Sequence, residues 1–224
     1  MDPLSIMIIT YERTETAVRT IQALERNLDC DPKKLYFHIA DDGSSKQHIR
    51  TLLEVIGSFC PNKSTVTNSL RRGVGVSMNL GQHVCFHKTE QLLWLADDWE
   101  LVHRINPELY MNVLNNNPEI GMIRLGYISP GIQGELQSYE GRLWWRLRKG
   151  PTYAFAGHAS LRHIRFYKAY GKYPTTLTPG ETELYMCGTF NNTRGPDVAI
   201  PAFTGEWGIF AHIGSNSLKD IRPQ

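Results

Sequence analysis

Asp97 and Asp98 stand side by side where an apolar run ends, in "QLLWLADDWEL" (Gln91 to Leu101). Leu92 to Ala96 have the composition of a buried strand, and two ionised carboxylates at its tip repel each other in a medium that disfavours charge. A positive group is therefore expected beside them. A divalent cation would serve, because Mg²⁺ and Mn²⁺ prefer hard oxygen ligands and often share them with substrate phosphates. A cation so placed would neutralise the charge that develops on a diphosphate leaving group.

A second pair, Asp41 and Asp42 in "IADDGSS", follows another apolar run, Leu35 to Ala40. One such pair before glycine is most simply a tight turn. Two matching pairs are harder to dismiss, and the elements around them say why. "SIMIIT" (Ser5 to Thr10) reads as a buried strand, and the segment from Thr14 carries Ala17, Ile21, Leu24 and Leu28 at helical spacing. Leu35 to Ala40 is a strand, the next helix opens at Ser44 or Ser45, "STVTN" is a short strand, "GVSMNLGQHVCFH" a helix and "QLLWLA" a strand. Asn106 and Pro107 then cap and begin the helix "PELYMNVLNN", before the strand "IGMIRL". This repeated order predicts an α/β fold with a mostly parallel sheet flanked by helices. Ligands collect at the carboxyl ends of such strands near a topological switch point, and both aspartate pairs would lie on that edge.

After Gly126 the pattern loosens. "GYISPGIQGELQSYEGRLWWRLRKGPT" reads as a long functional loop or an irregular sheet extension. A strand "TYAFAG", a helix from Ser160 to Tyr170, a helix from near Pro179 and a final strand "WGIFAH" ending at His212 are expected beyond it. No linker divides the chain, so residues 1–224 are expected to form one domain.

The 224 residues are 41% hydrophobic with a formal net charge of +2, which allows a large core and expresses no whole-molecule preference for nucleic acid or an acidic membrane. No window approaches the ~20 apolar residues that span a bilayer, and "MDPLSIMIIT" lacks a basic segment followed by a long apolar one. Cys30, Cys60, Cys85 and Cys187 are widely spaced and form no CxxC pair, which fits free thiols. A soluble cytoplasmic protein without a transmembrane segment is expected.

"SIMIITYERTETAVRTIQAL", "IADDGSS", "NSLRRGVGVSMNLG" and "LLWLADDWEL", in this order and spacing, resemble the donor-binding half of a family 2 glycosyltransferase. The resemblance covers the first half strongly and the remainder in scattered motifs. It implies a single-domain A-type glycosyltransferase (GT-A) fold, with a Rossmann-like nucleotide-sugar-binding half at 1–101 and an acceptor and catalytic half at 102–224. It also implies a nucleotide-sugar donor, expected to be UDP-linked, and a Mn²⁺ or Mg²⁺ cofactor. Thr10, Tyr11 and Glu12 map onto the nucleoside-contacting segment, and Asp41 and Asp42 onto the uracil or ribose ligands. Read from the residues alone, the competing reading of Thr10 and Tyr11 is a strand-to-helix turn with a packed aromatic. Arg71, Arg72 and Asn79 map onto the segment framing the donor, where solvated arginines at a helix start are the competing reading. The family's acidic motif carries carboxylates at its first and last positions. Here the triplet is Ala96, Asp97, Asp98, which makes Asp98 the first metal ligand and Asp97 the second, with Asp97 also on the donor side.

His212, in "FAHIGSNS", resembles the C-terminal histidine that completes the metal site in related enzymes; as a lone histidine it is equally a structural residue. Gly157 and His158 resemble the lining of the sugar pocket. An inverting transfer needs a base to take the acceptor's proton. "PGETELYMCGTF" resembles the family's acidic motif at a helix start and nominates Glu181 ahead of Glu183. Thr182 stands where that motif has its second acid, and Thr178, Pro179 and Glu181 also fit a capping box. The two glutamates would point about 200° apart on a helix. In "RLWWRLRKG", Trp144, Trp145, Arg146 and Arg148 could meet an acceptor that is a nucleic acid, a lipid-linked glycan or a protein. A DNA acceptor would have to be a hydroxymethylated base, since ordinary bases lack a suitable alcohol. Ala96 and the missing second acid also leave a rival: a non-catalytic nucleotide-sugar or carbohydrate binder with a degenerate fold.

Overall fold

The computed structural model describes residues 1–60, 64–127, 133–150, 153, 155, 157–202 and 208–214. The apolar runs become the middle of one sheet. β1 (Leu4–Thr10) is buried along its whole length and lies between β2 (Leu35–Asp41) and β4 (Gln91–Ala96), parallel to both, with β3 (Ser64–Asn68) outside β2. A strand covered on both faces needs apolar residues at every position. Leu4, Ile6 and Ile8 accordingly share a core cluster with Ala17, Ile21 and Leu24 of α1 (Thr14–Asn27) and Leu52 and Ile56 of α2 (Lys46–Phe59). Met7 and Ile9 point the other way, into a cluster with Trp94 and with Cys85 of α3 (Val74–Phe86).

Chain order and spatial order diverge at β1. The first crossovers place β2 and then β3 on one side of it, and the third returns to place β4 on the other. That reversal opens a crevice at the carboxyl ends of β1 and β4. In register, Ile9 pairs with Ala96 and Thr10 with Asp41, so both aspartate pairs reach the same edge.

Beyond the short β5 (Trp99–Leu101), α4 (Pro107–Asn116) leads to β6 (Ile120–Arg124), and the second half enlarges the same sheet. The hairpin of β7 (Gly134–Tyr139) and β8 (Arg142–Leu147) forms one end of it, so the described part of the loosely patterned stretch is a sheet extension. Residues 128–132 lie outside the described residues, as do three of the six in "TYAFAG". The helix expected from Ser160 begins later. Ser160–His163 form β9, inserted antiparallel between β4 and β6, and His163 caps α5 (Ile164–Tyr170) by accepting from the Arg165 N–H at 3.2 Å. Ser160, Leu161 and Arg162 are buried by their two neighbours, and this tertiary pairing overrides a local pattern that reads as helix.

α6 (Pro179–Asn192) opens with the capping box of Thr178 and Glu181, and β10 (Asp197–Pro201) joins β6 to β8. The complete order is β3-β2-β1-β4-β9-β6-β10-β8-β7. β11 (Phe210–His212) pairs antiparallel with β5, which brings His212 opposite Trp99. Among the described residues no helix is long and apolar enough to cross a membrane, and all four cysteines keep their thiols.

Candidate active site

A cavity of about 1220 Å³ opens at the crevice between β1 and β4. That exceeds the ~300–1,000 Å³ of ordinary small-molecule sites and leaves room for a nucleotide-sized ligand with a second group beside it. Its floor holds Thr10, Asp97 and Asp98, and its walls include Tyr11, Arg13, Glu183 and His212.

The positive group expected beside the aspartates is Arg13, at the N-cap of α1. Its NH1 donates to Asp98 Oδ2 at 2.7 Å and its NH2 to Asp97 Oδ1. A planar guanidinium holds its donors in a fixed fork, so one arm can meet each carboxylate. The Thr10 hydroxyl donates to Asp97 Oδ2 at 2.8 Å, so it receives the Nε2–H of buried His48 at 2.9 Å. His48 Nδ1 then accepts from the Thr14 hydroxyl at 2.7 Å, which assigns a neutral ring whose pKa burial keeps low. Burial pushes the Asp97 carboxyl up to about 6 against the opposing pull of Arg13 and Thr10. For Asp98 burial also raises, but hydrogen bonds from His212 and Arg13 outweigh it and hold the carboxyl below its ordinary range. Two adjacent acids are thus driven in opposite directions.

His212 Nε2 lies 3.0 Å from Asp98 Oδ2, and the Ile213 N–H holds the Asp98 carbonyl at 2.8 Å. A methyl group added at Gly214 would sit 2.8 Å from Asp98 Oδ2 and 3.2 Å from His212 Nε2, so only glycine leaves the space beside this pair open. Among the described residues no cluster of three or more His, Cys, Asp or Glu converges. The donor set therefore fits a hard cation with Asp98 and His212 as protein ligands, completed by phosphate and water oxygens as Mg²⁺ sites commonly are, provided that Arg13 withdraws. Asp97 is the neighbouring carboxylate.

Around the second aspartate pair the polar groups organise the rim. Asp41, fully buried, accepts from the Gly43 and Ser44 N–H groups at 3.0 Å and from Asn68 Nδ2 at 2.7 Å. Asp42 lines the cavity, and its Oδ1 accepts from the Ser69 hydroxyl and from the Gly73 N–H at 3.1 Å, at the start of α3. Glu12, left-handed at φ 54°, reaches back to the Ser45 N–H at 2.5 Å. The Arg71 guanidinium rests 4.8 Å from the centre of the Tyr11 ring, and both residues, with Arg72, line the cavity. Asn79 instead exchanges two 2.9 Å hydrogen bonds with the Tyr173 backbone, tying α3 to the segment before α6.

At the start of α6 the two glutamates separate. Glu181 closes the capping box, accepting from the Thr178 N–H at 2.9 Å and hydroxyl at 2.7 Å, and does not line the cavity. Glu183 does; its Oε1 accepts from the Gly157 N–H at 2.6 Å and its Oε2 from the Tyr153 hydroxyl. His158 packs against both Trp99 and Tyr127, ring centres at 4.9 and 4.4 Å, and its Nδ1 accepts from fully buried Arg124 at 2.9 Å. Since guanidinium only donates, the ring is the neutral Nε2–H tautomer, and burial and then Arg124 keep its pKa well below the ordinary value.

The tryptophan and arginine cluster lies apart from the cavity wall. Trp144 is buried, its indole N–H donating to the Tyr139 carbonyl at 3.0 Å and its ring edge-on to Tyr110. Trp145 packs against the α5 and α6 core cluster, Arg146 pairs with Asp197 at 2.6 Å, and Arg148 pairs with Glu135 at 2.6 Å. Arg13, His48, Arg124 and Tyr153 were not singled out from the sequence. Arg13 carried a usable signal: a basic residue three positions past the first strand, on the rim where two aspartates need a partner.

No protein-family model matches the sequence, and no curated protein sequence matches it. Solved structures do. Residues 1–349 of S. aureus TarS superpose with a TM-score of 0.62 at 13% identity, over 89% of this chain and 60% of that one. GalNAc-T7, solved with UDP, GalNAc and Mn²⁺, gives 0.65 at 15% identity, over 90% and 42%. The mannosyltransferase PcManGT from Pyrobaculum calidifontis, solved with GDP-Man and Mn²⁺, gives 0.57 at 15% identity, over 92% and 59%. The chain has the GT-A glycosyltransferase fold. It spans about 40 to 60% of the length of these structures.

Proposed function

We propose that the protein is a glycosyltransferase, a single domain that moves a sugar from a nucleoside-diphosphate donor, UDP-linked in the first instance, to an alcohol acceptor. The observation that carries this reading is Asp98 meeting His212, with Asp97 next to it in the chain, at the switch-point crevice of a GT-A sheet and lining a cavity large enough for such a donor. Tyr11, Arg71 and Asp42 suit the nucleoside end, with an aromatic face, a cation and a carboxylate on one rim. The diphosphate falls toward Asp98, where Mn²⁺ or Mg²⁺ held with His212 would supply charge neutralisation to the leaving group.

Glu183 is the base in this reading, supported by its position in the cavity lining. It lines the same cavity as the aspartates, and its contacts with Gly157 and Tyr153 fix the carboxylate without consuming all of its acceptor positions. A base on the acceptor side matches direct displacement with inversion at the anomeric carbon. His158, clamped and neutral, offers one fixed donor, Nε2–H, to a sugar oxygen.

The test is a panel of UDP- and GDP-sugars with Mn²⁺, reading nucleotide release with and without chelator. Acceptor arms comprise hydroxymethylated DNA, lipid-linked glycan and protein. Release that depends on one donor and is abolished in Asp98→Ala supports the enzyme. Tight donor binding without turnover across all arms would overturn it in favour of a non-catalytic binder.

A further inference from the structure

We propose that Arg13 occupies the cation position of the aspartate pair in the metal-free protein, and yields it when a divalent cation arrives with the nucleotide, its guanidinium passing to the diphosphate. The first half of this stands on the geometry alone; the second rests on the donor reading above.

The two occupants exclude each other at one atom. Asp98 Oδ2 accepts from Arg13 NH1 at 2.7 Å and faces His212 Nε2 at 3.0 Å. A cation held by Asp98 and His212 would draw on that same Oδ2, where Arg13 NH1 now donates beside His212 Nε2. The carboxylate side chains are 1% and 9% exposed, whereas Arg13 is 49% exposed, so Arg13 closes the pair from the solvent side and is the part able to leave. Leaving requires only side-chain rotation. The Arg13 carbonyl stays fixed by the Ala17 N–H at 3.0 Å and the Thr16 hydroxyl at 3.1 Å. No side chain caps the first turn of α1 from this position, so no cap is lost when the guanidinium moves.

Arg13 also has a reason to be there. Without a metal, two adjacent buried carboxylates need a countercharge. The nearby Arg19 and Arg26 are engaged by Glu100, at 2.8 and 3.7 Å. Once displaced, the Arg13 guanidinium remains on the cavity wall, and its fork suits two phosphate oxygens as well as two carboxylates.

Two binding measurements on Arg13→Gln test this. Mn²⁺ affinity of the nucleotide-free protein, by electron paramagnetic resonance, is expected to rise about tenfold, as one charged hydrogen bond no longer competes. UDP affinity at saturating Mn²⁺, by calorimetry, is expected to fall several-fold. Opposite shifts of this kind are not produced by a merely structural residue. Unchanged or weaker Mn²⁺ binding by a folded Arg13→Gln protein overturns the proposal, as does Mn²⁺ binding that is undetectable in every form. If Arg13→Gln does not fold, the double variant with Asp97→Asn removes one of the two charges, leaves Asp98 and His212, and is read the same way. Turnover is not a readout. A protein that fails to transfer sugar can still show the Mn²⁺ shift, and an active one can lack it.

Discussion

Replacing Glu183 by glutamine, with Glu181→Gln beside it, separates the two glutamates that the helix start offers. In Glu183→Gln the amide oxygen still accepts from the Gly157 N–H, now at 2.6 Å from Oε1, and the amide nitrogen meets a Tyr153 hydroxyl that turns from donor to acceptor. The side chain therefore keeps its place and loses only its ability to take a proton. A positioned general base contributes roughly 10²–10⁴ in rate, equivalent to about 3–5 kcal/mol of barrier. kcat is expected to fall by that factor while the donor's KM and the thermal midpoint stay near the parent values. Glu181→Gln preserves the capping contacts with Thr178 and lies outside the cavity, so kcat is expected to hold. The assay is acceptor-dependent nucleotide release at saturating donor. Loss of kcat in Glu181→Gln with retention in Glu183→Gln would refute the assignment.

Two further expectations concern the scaffold. His38 is 2% exposed between the Thr65 and Thr67 hydroxyls, and burial lowers its pKa from 6.5 to about 4. The unfolded chain then binds the extra proton first, so stability is full above pH 6.5 and is lost as pH falls toward 4, by about 3 kcal/mol from this group. Urea unfolding from pH 7 to 4 should show that slope and His38→Gln should flatten it; an unchanged slope refutes the attribution. At Gly75 an added methyl would lie 1.9 Å from the Pro174 carbonyl oxygen, where α3 meets the segment whose Thr175 to Pro179 wall the cavity. Gly75→Ala is expected to cost about 1–3 kcal/mol and to weaken UDP binding, since that wall must move. Parent-like UDP affinity by calorimetry would show that the wall does not contribute.

Legibility of this fold follows how far each signal reaches along the chain. The strands β1, β2 and β4 are buried on both faces, so their sequences are apolar without a break, and the edge they share follows from the alternation with helices. The caps at Ser45, Asn106 and Thr178 are equally local, each a side chain meeting a backbone N–H two or three residues on. β9 fails this test because what makes Ser160–His163 a strand is the pair of neighbours on either side, from β4 and β6. Trp144 and its arginines fail it differently. A run of aromatic and basic residues is read as a surface, yet strand alternation turns Trp144 inward against Tyr110 and presents Arg146 to Asp197 from a neighbouring strand.

Arg13 shows the limit most clearly, because the electrostatic demand is legible in the sequence while its answer carries only the local signal of a basic residue just past the first strand. Two carboxylates at a strand tip require a positive neighbour, and a divalent ion and a guanidinium satisfy that requirement equally well on paper. Eighty-four residues separate Arg13 from Asp97, and only the parallel pairing of β1 with β4 makes them adjacent. The same pairing sets Thr10 against Asp97, so a substitution that shifts the tip of β1 should disturb the acids as surely as one made in the acids themselves. The local chemistry of the site is thus written in short motifs, while its charge balance is written in the register of the sheet.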